Sequence, residues 1–435
     1  MTPNRYLYGL DDPPPLALSL VYAVQWAVII FPAYVIAAKI VAQAMDLPAA
    51  SEARFLQVTL VCSGLGTLFQ TLWGHRYPLV EGPATAHLLT FVSLSPLGLG
   101  AVQGATLAAA ACLALAAVTG AVRPLLRLFT PNVVGVILML IAFSLLPHLI
   151  PPMLGADSRH GDASALVLCM SLALVVIIAV LGHRLRGLWK TCNMALGLLL
   201  GTVVFAFLDR VSWAPLLATP WLSLPRPWSS FSPQWHADAF IALVLTYVAI
   251  AVNSMGSIQG IAAVTQSARL DSALRRGLLT TGVSGMVCAF FGVVGTVSYS
   301  TGPGVVLASR VASRFPLAWC GLLVTAAAFF PKVAAALTLV PSAVVASALC
   351  VAMAGQLGAA LAVIASGRAL AARDYFVVGI PVLVGTLLAF LPQSFILSLS
   401  GMGRVFLGNG MVSGIVLVMF LEHVVFIQPK KESPP

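Results

Sequence analysis

Apolar stretches long enough to cross a lipid bilayer recur along the whole chain, and this recurrence limits the fold more than any other feature. Twelve such runs stand out, from Leu16–Val41, Phe55–Trp73 and Ala101–Val122 to Tyr375–Leu391 and Gly410–Phe426. A bilayer core takes about 20 residues of helix, fewer where the helix is broken. Of the 435 residues, 60% are hydrophobic and 8% charged, and the mean hydropathy is +1.00. A water-soluble core of this length could not hide so much apolar surface. The expected class is an all-α polytopic membrane protein. No gap holds a separate soluble domain, and the longest loop, Asp209 to Asp238, is rich in Pro and Trp and suits an interfacial cap.

Two short segments break this pattern. Gly-Pro occurs twice in the chain, in YPLVEGPATAHLL (Tyr77–Leu89) and in VSYSTGPGVVLAS (Val297–Ser309). Gly-Pro stops a helix from running straight through, and a glutamate such as Glu81 is costly in hydrocarbon. Each copy follows an extended-looking stretch, YPLV or VSYS, and leads into a short apolar helix. Gly82 and Gly302 suit N-cap positions, with Pro83 and Pro303 in the first turn. The residues that follow would offer free N–H groups and a positive dipole end to the membrane centre. Counting both interrupted segments gives about fourteen membrane elements, or seven per half, and an odd number per half makes the halves inverted. Paired breaks at matching places in two halves point to a transporter's midplane binding site. The plain alternative is a pair of proline-kinked helices with no site.

The net charge of +10 could suggest a nucleic-acid binder, but its distribution favours a topology signal. With a cytoplasmic N-terminus and fourteen crossings, sixteen of the Lys and Arg residues fall in inside loops and seven outside, as the positive-inside rule expects. Both termini are then cytoplasmic. Met1–Pro15 lacks the order of a cleaved signal peptide, so the first helix would direct insertion. The seven cysteines stand singly, without metal-ligand or redox spacing, and suit helix packing. No cofactor, ATP-binding or hydrolytic motif is present.

The motifs, in order, are Gln25-Trp26, GHRYPLVEGPATA (Gly74–Ala86), RLFTPNVVGVILMLI (Arg127–Ile141), FGVVGTVSYSTGPGVVLASRVASR (Phe291–Arg314) and LGNGMVSGIVLVMFLEH (Leu407–His423). Together they resemble the nucleobase–ascorbate transporter family of xanthine and uracil permeases, and most of all its purine permease branch. The resemblance covers about residues 12 to 428. It implies two inverted seven-segment repeats, with short strands before half-helices in segments 3 and 10 and substrate held between them. A core domain would span 16–128 and 240–330, and a gate domain 131–225 and 333–426. Pairing of two copies through the gate is a further implication. The chain departs from the family at three places: Asn253 replaces the usual eighth-segment glutamate, Thr301-Gly302-Pro303-Gly304 fill the tenth-segment turn, and Gln25-Trp26 stand for Gln-His.

Candidate substrate-binding residues are Gln25, Glu81, Gly82, Ala84, Thr85, Asn253, Tyr299, Ser300, Thr301, Gly302 and Gly304. Asn253 and Thr301 could read a heterocycle through donor and acceptor groups, or simply join helices. Glu81 could accept N–H bonds from a base or carry a coupling proton, or it could be a cap bound to Arg76. His87 could face substrate or serve structure. The expected function is a secondary-active nucleobase permease of the bacterial inner membrane, possible alternatives being an anion carrier or uniporter on the same fold and a non-transporting receptor. The expected partners are a small nucleobase-like substrate, H+ as coupling ion and membrane lipid, with no nucleic acid.

Overall fold

The computed structural model describes residues 6–121, 128–156, 163–185, 189, 192–207, 213–365, 370–399, 403 and 406–426. Arg5, Arg123, Arg127, Arg159, Arg186, Lys190, Arg210, Arg368, Arg404, Lys430 and Lys431 lie outside the described residues. In chain order the elements are α1 (Leu16–Ala44), α2 (Ala49–Leu72), β1 (Glu81–Pro83), α3 (Thr85–Leu94), α4 (Leu99–Thr119), α5 (Pro131–Ser144), α6 (Leu146–Met153), α7 (Ala165–Arg184), α8 (Asn193–Ala206) and α9 (Ala214–Ala218). Then come α10 (Ala237–Thr265), α11 (Leu270–Phe291), β2 (Thr296–Ser298), α12 (Gly302–Ser309), α13 (Phe315–Ala327), α14 (Pro331–Thr338), α15 (Ser342–Ile364), α16 (Ala372–Ala389), α17 (Gln393–Ser398) and α18 (Gly410–Phe420).

Contacts divide the chain into two compact units, residues 1–120 with 148–352 and residues 121–147 with 353–435. Within the larger unit one motif occurs twice. Two long helices, a three-residue strand, a half-helix and another helix appear as α1–α2–β1–α3–α4 and again as α10–α11–β2–α12–α13. The strands pair antiparallel, with Glu81 opposite Ser298, Gly82 opposite Val297 and Pro83 opposite Thr296. α2 packs on α13, and α11 packs on α4. A Cβ on Gly64 would lie 2.7 Å from the Gly321 carbonyl, and one on Gly282 would lie 2.8 Å from that of Ala110. Backbones meet through small residues at both crossings, as membrane helices do. These reciprocal crossings are what two inverted copies generate.

Lipid-facing surface is plain on α7, where Leu166, Leu172 and Val176 are 51–61% exposed and mean hydropathy reaches 3.0. A helix apolar on all sides with its apolar residues uncovered belongs in hydrocarbon. Among the described residues eight helices are long and apolar enough to span, or nine if α13 and α14, bent by 91°, count as one. Apolar helices of half-span length, including α3 and α8, fall below that threshold, so length alone does not reach fourteen.

One local expectation is corrected. The strand falls on Glu81–Pro83, not on YPLV, and α3 starts at Thr85 with Ala84 as N-cap. Gly82 and Pro83 are therefore strand residues, whereas Gly302 and Pro303 do open α12, with Thr301 as its N-cap. The difference has a backbone cause. Pro83 has no N–H to give, and the next N–H, that of Ala84, goes to the Gly295 carbonyl at 2.8 Å, which extends the pairing before the helix can begin.

The N-terminal segment is part of the larger unit. The Leu7 N–H donates to the Arg310 carbonyl at 2.8 Å, the Ala312 N–H to Tyr8 at 2.9 Å and the Arg314 N–H to Leu10 at 3.2 Å. Tyr6 and Leu10 pack on a core of Tyr77, Leu79, Ile258, Ile261 and Val306. At the opposite end of α1, Lys39 pairs with Glu52 at 2.8 Å. There the Pro- and Trp-rich loop lies over helix ends: the Trp228 indole donates to the Gly292 carbonyl, and the Ser223 N–H to that of Phe329. The smaller unit packs α5, α16 and α18 together, with Asn132 donating to Asp374 at 2.8 Å and Arg373 to Glu422 at 2.6 Å.

Candidate functional site

The two-strand bridge holds the starts of α3 and α12 in fixed positions. The first-turn N–H groups of Thr85, Ala86 and Gly304 fall among those that an α-helix leaves unpaired. Tyr299 fastens one break to the other, its N–H donating to the Val80 carbonyl at 3.0 Å and its hydroxyl to the Pro83 carbonyl at 2.8 Å. Gly82 is buried beneath the Tyr299 ring, and Ile30 of α1 reaches the same point. α10 joins through Ser257, whose hydroxyl donates to the Ser298 carbonyl at 2.8 Å and to that of Asn253 at 3.0 Å. Asn253 therefore sits one turn from the bridge.

Of the sequence-derived candidates, Gly82, Ala84 and Gly302 are buried, and Gln25, Thr85, Asn253 and Tyr299 are half-buried. Ser300, Thr301 and Gly304 are exposed. A Cβ built on Gly256 or on Gly304 meets nothing within 4 Å, so space opens beside α10 and at the start of α12. Gln25 lies on α1 with its Nε2 buried and without a hydrogen-bond partner among the described residues. The arrangement offers neutral amides, hydroxyls and backbone N–H groups, a set that suits a polar ligand without fixing its charge.

Glu81 points elsewhere. Its side chain is fully buried, and its Oε1 accepts from the Ser298 hydroxyl. Its N–H donates to Thr67 at 2.9 Å, and its carbonyl accepts from Tyr34 at 3.2 Å. The partner considered from sequence, Arg76, instead approaches Asp11 at 3.9 Å. Among the described residues the basic group beside Glu81 is His75, whose Nε2 lies 3.9 Å from Oε1. His87 has a structural position: Nδ1 accepts the Gly295 N–H at 2.8 Å, and Nε2 meets Thr106 at 3.2 Å. The first contact holds α3 against the approach to β2, and the second holds it against α4.

Sequence reasoning did not single out His75, Ser298, Ser257 or Tyr34. His75 and Ser298 lie inside the motifs GHRYPLVEGPATA and FGVVGTVSYSTGPGVVLASRVASR, but no local pattern sets either of them against Glu81. Successive strand positions face opposite sides, so Glu81 and Gly82 present to different faces, and pairing sets which face meets Ser298.

Paired half-helices meeting at a strand bridge inside a helical membrane protein form the pattern in which transporters place a binding site. The family model of the xanthine and uracil permeases, described as a permease family, matches residues 18–394. The chain belongs to this family and is an integral membrane permease, not an enzyme. It is 25% identical to the nucleobase transporter PlUacP of Paenibacillus larvae over 413 residues, covering 92% of each chain. It is 26% identical to the uric acid permease PucK of Bacillus subtilis, covering 91% of this chain and 92% of that one. In fold it is similar to the transmembrane domain of the cyanobacterial bicarbonate transporter BicA, with a TM-score of 0.60 at 14% identity over 85% of this chain and 96% of that one.

Proposed function

We propose that this chain is a secondary-active permease for a nucleobase, a purine such as xanthine or a related heterocycle, coupled to protons. The observation that carries the reading is the family match over residues 18–394, in a chain whose candidate site offers neutral hydrogen-bonding groups. Gln25, Thr85, Asn253, Ser300 and Thr301 have no side-chain hydrogen bond among the described residues, and two of them flank open space. In this reading substrate lies against the starts of α3 and α12. Asn253 and Thr301 read the edge of the heterocycle, and the remaining candidates, Gly82, Ala84, Tyr299, Gly302 and Gly304, shape the floor. Glu81 is the coupling residue. The core, 16–128 and 240–330, moves against the gate, 131–225 and 333–426, in alternating access. The protein resides in the bacterial inner membrane with cytoplasmic termini and pairs through the gate as a homodimer.

A second reading, an anion carrier, draws on the two half-helix starts, because helix N-termini attract anions. One screen separates the readings. Purified protein is heated with xanthine, uric acid, uracil, bicarbonate, sulfate or chloride, and any stabilising compound is then tested for uptake into proteoliposomes. A purine that stabilises and is accumulated supports the permease. Stabilisation by a small anion alone reverses the ranking, and binding without accumulation marks a receptor.

A further inference from the structure

Two buried polar atoms beside the bridge lack partners among the described residues. Glu81 Oε2 and His75 Nε2 are both sealed from solvent and without a hydrogen bond there, and the side chains that bear them are 0% exposed. Leaving a buried polar atom unsatisfied forfeits its hydrogen bond to water with nothing in return, so two in one place ask for an explanation. The ring's orientation narrows it. His75 Nδ1 accepts the Tyr77 N–H at 2.9 Å, which leaves Nε2 as the nitrogen carrying hydrogen, and Nε2 faces Glu81 Oε1 across 3.9 Å. That gap is too wide for a hydrogen bond and closes with a shift of about 1 Å.

We propose that Glu81 and His75 form one buried proton-binding pair, in which Glu81 takes up the coupling proton and His75 receives the carboxylate when the proton leaves. The inference rests on the coupling role given to Glu81 above and adds its mechanism. Only an O–H bond breaks: the proton passes to water, and the Nε2–H of His75 moves onto the anion. No arginine or lysine among the described residues reaches Glu81 within ion-pair distance. The other titratable groups around it are Tyr34 from α1, with its hydroxyl on the Glu81 carbonyl, and Tyr299 beyond β2, with its hydroxyl on Pro83. Cys320 of α13 is buried next to Tyr34, and Tyr77 stacks on His75. A buried carboxylate with one hydroxyl donor is poorly stabilised, so an approaching N–H donor is what its ionised form requires.

The pair is tied to the candidate substrate site and walled by backbone. Ser298 donates to Glu81 Oε1, and its own carbonyl accepts from Ser257, one turn from Asn253. A Cβ on Gly66 would lie 3.5 Å from the Glu81 Cβ, and one on Gly277 would lie 3.2 Å from the His75 Cβ. Helices α2 and α11, one from each half, close over the pair. Movement of α10 on substrate binding would act on β2, and through Ser298 on the carboxyl.

The test uses the full-length protein and three variants. H75N keeps an acceptor for the Tyr77 N–H but withdraws the donor facing Glu81, whereas H75Q carries an amide nitrogen near the Nε2 position. Infrared difference spectra over a pH series on purified protein, without substrate, should show a carboxylic acid band that E81Q removes. H75N should move that band, and the carboxylate band that replaces it, in frequency, because the carboxyl loses the donor facing it, and H75Q should recover part of the shift. In proteoliposomes, H75N should lower proton-driven xanthine accumulation about tenfold while leaving xanthine counterflow, which reports a folded protein. A band removed by E81Q but unmoved in H75N overturns the pair and leaves Glu81 as a lone coupling residue. A wild-type spectrum with no titrating carboxylic acid band overturns both ideas without recourse to any variant.

Discussion

Gly82 shows what the strand bridge demands of single residues. A Cβ at that position would lie 2.5 Å from Cε2 of Tyr299 and 3.3 Å from Cδ1 of Ile30. The ring cannot retreat without giving up its bond to the Pro83 carbonyl at 2.8 Å. Gly82→Ala should therefore destabilise the protein by about 1–3 kcal/mol, read as a lower midpoint in thermal unfolding in detergent; an unchanged midpoint would mean that the ring is free to move. Gly304 is the contrasting case, because nothing lies within 4 Å of its Cβ position. At Asn253 and Thr301 the expected loss is in ligand affinity. Asn253→Ala or Thr301→Val should weaken xanthine binding about three- to tenfold, the worth of one neutral hydrogen bond, with little change in unfolding. Equal binding by wild type and both variants would remove these residues from the site. The residues of the bridge were legible as a chemical set, since Glu81, Gly82 and Thr301 stand where the helical pattern breaks. Their facing was not: it follows from pairing partners more than 200 residues away, Glu81 with Ser298, and no local pattern carries that information.

Among the elements, the two half-helices were foreseeable because Gly-Pro is incompatible with a continuous helix. Their exact starts depended on hydrogen bonds across the bridge, which is why Pro83 ends a strand while Pro303 opens a helix. The N-terminal strap left still less trace in the sequence, being short and held by Asp11. Arg314 and Arg269 each contact that carboxylate at 2.7 Å. Partial burial pushes the Asp11 carboxyl up, but the Arg314 hydrogen bond and the Arg269 charge outweigh it and hold the group below its ordinary value of 3.8. A carboxylate lowered on folding adds stability that is complete above the unfolded value and is lost as pH falls through the folded one. The side chain is 52% exposed, so solvent screening limits the effect to about 1 kcal/mol or less. Amide exchange at Ala312 and Arg314, corrected for intrinsic rates, should quicken between about pH 5 and pH 3. Asp11→Asn should show the quicker exchange at every pH. Exchange that stays flat in the wild type would deny Asp11 its hold on the strap.

For the whole molecule, sequence conveyed class more readily than crossing number. Recurring apolar runs sufficed for a polytopic membrane protein, but among the described residues eight or nine helices are long and apolar enough to span, because half-helices and bent pairs are short by construction. Charge offers an independent route to topology. Arg76, Arg269, Arg275 and Arg314 are among the sixteen basic residues that the fourteen-crossing topology puts inside; the first two and Arg314 gather around Asp11 of the N-terminal segment, and Arg275 caps the last carbonyls of α4. The outside-assigned Lys39 and Lys332 lie with Glu52 and with Trp221 of the Pro- and Trp-rich loop. α1 is 29 residues long, about 44 Å at the usual rise, enough to separate these two groups across a membrane. If the arginine-rich end is cytoplasmic, as the positive-inside bias expects, the loop Gly182–Lys190 should be cytoplasmic as well. A cysteine at Gly187, a position outside the described residues, tests this once the seven native cysteines have been replaced. An impermeant maleimide should leave Gly187→Cys unlabelled in intact cells and label it after permeabilisation. A cysteine at Ser229, in the Pro- and Trp-rich loop, should behave in the opposite way. Labelling of Gly187→Cys in intact cells would overturn the orientation, and labelling of both positions from the same side would remove an odd number of crossings between them, and with it the inverted relation of the two halves.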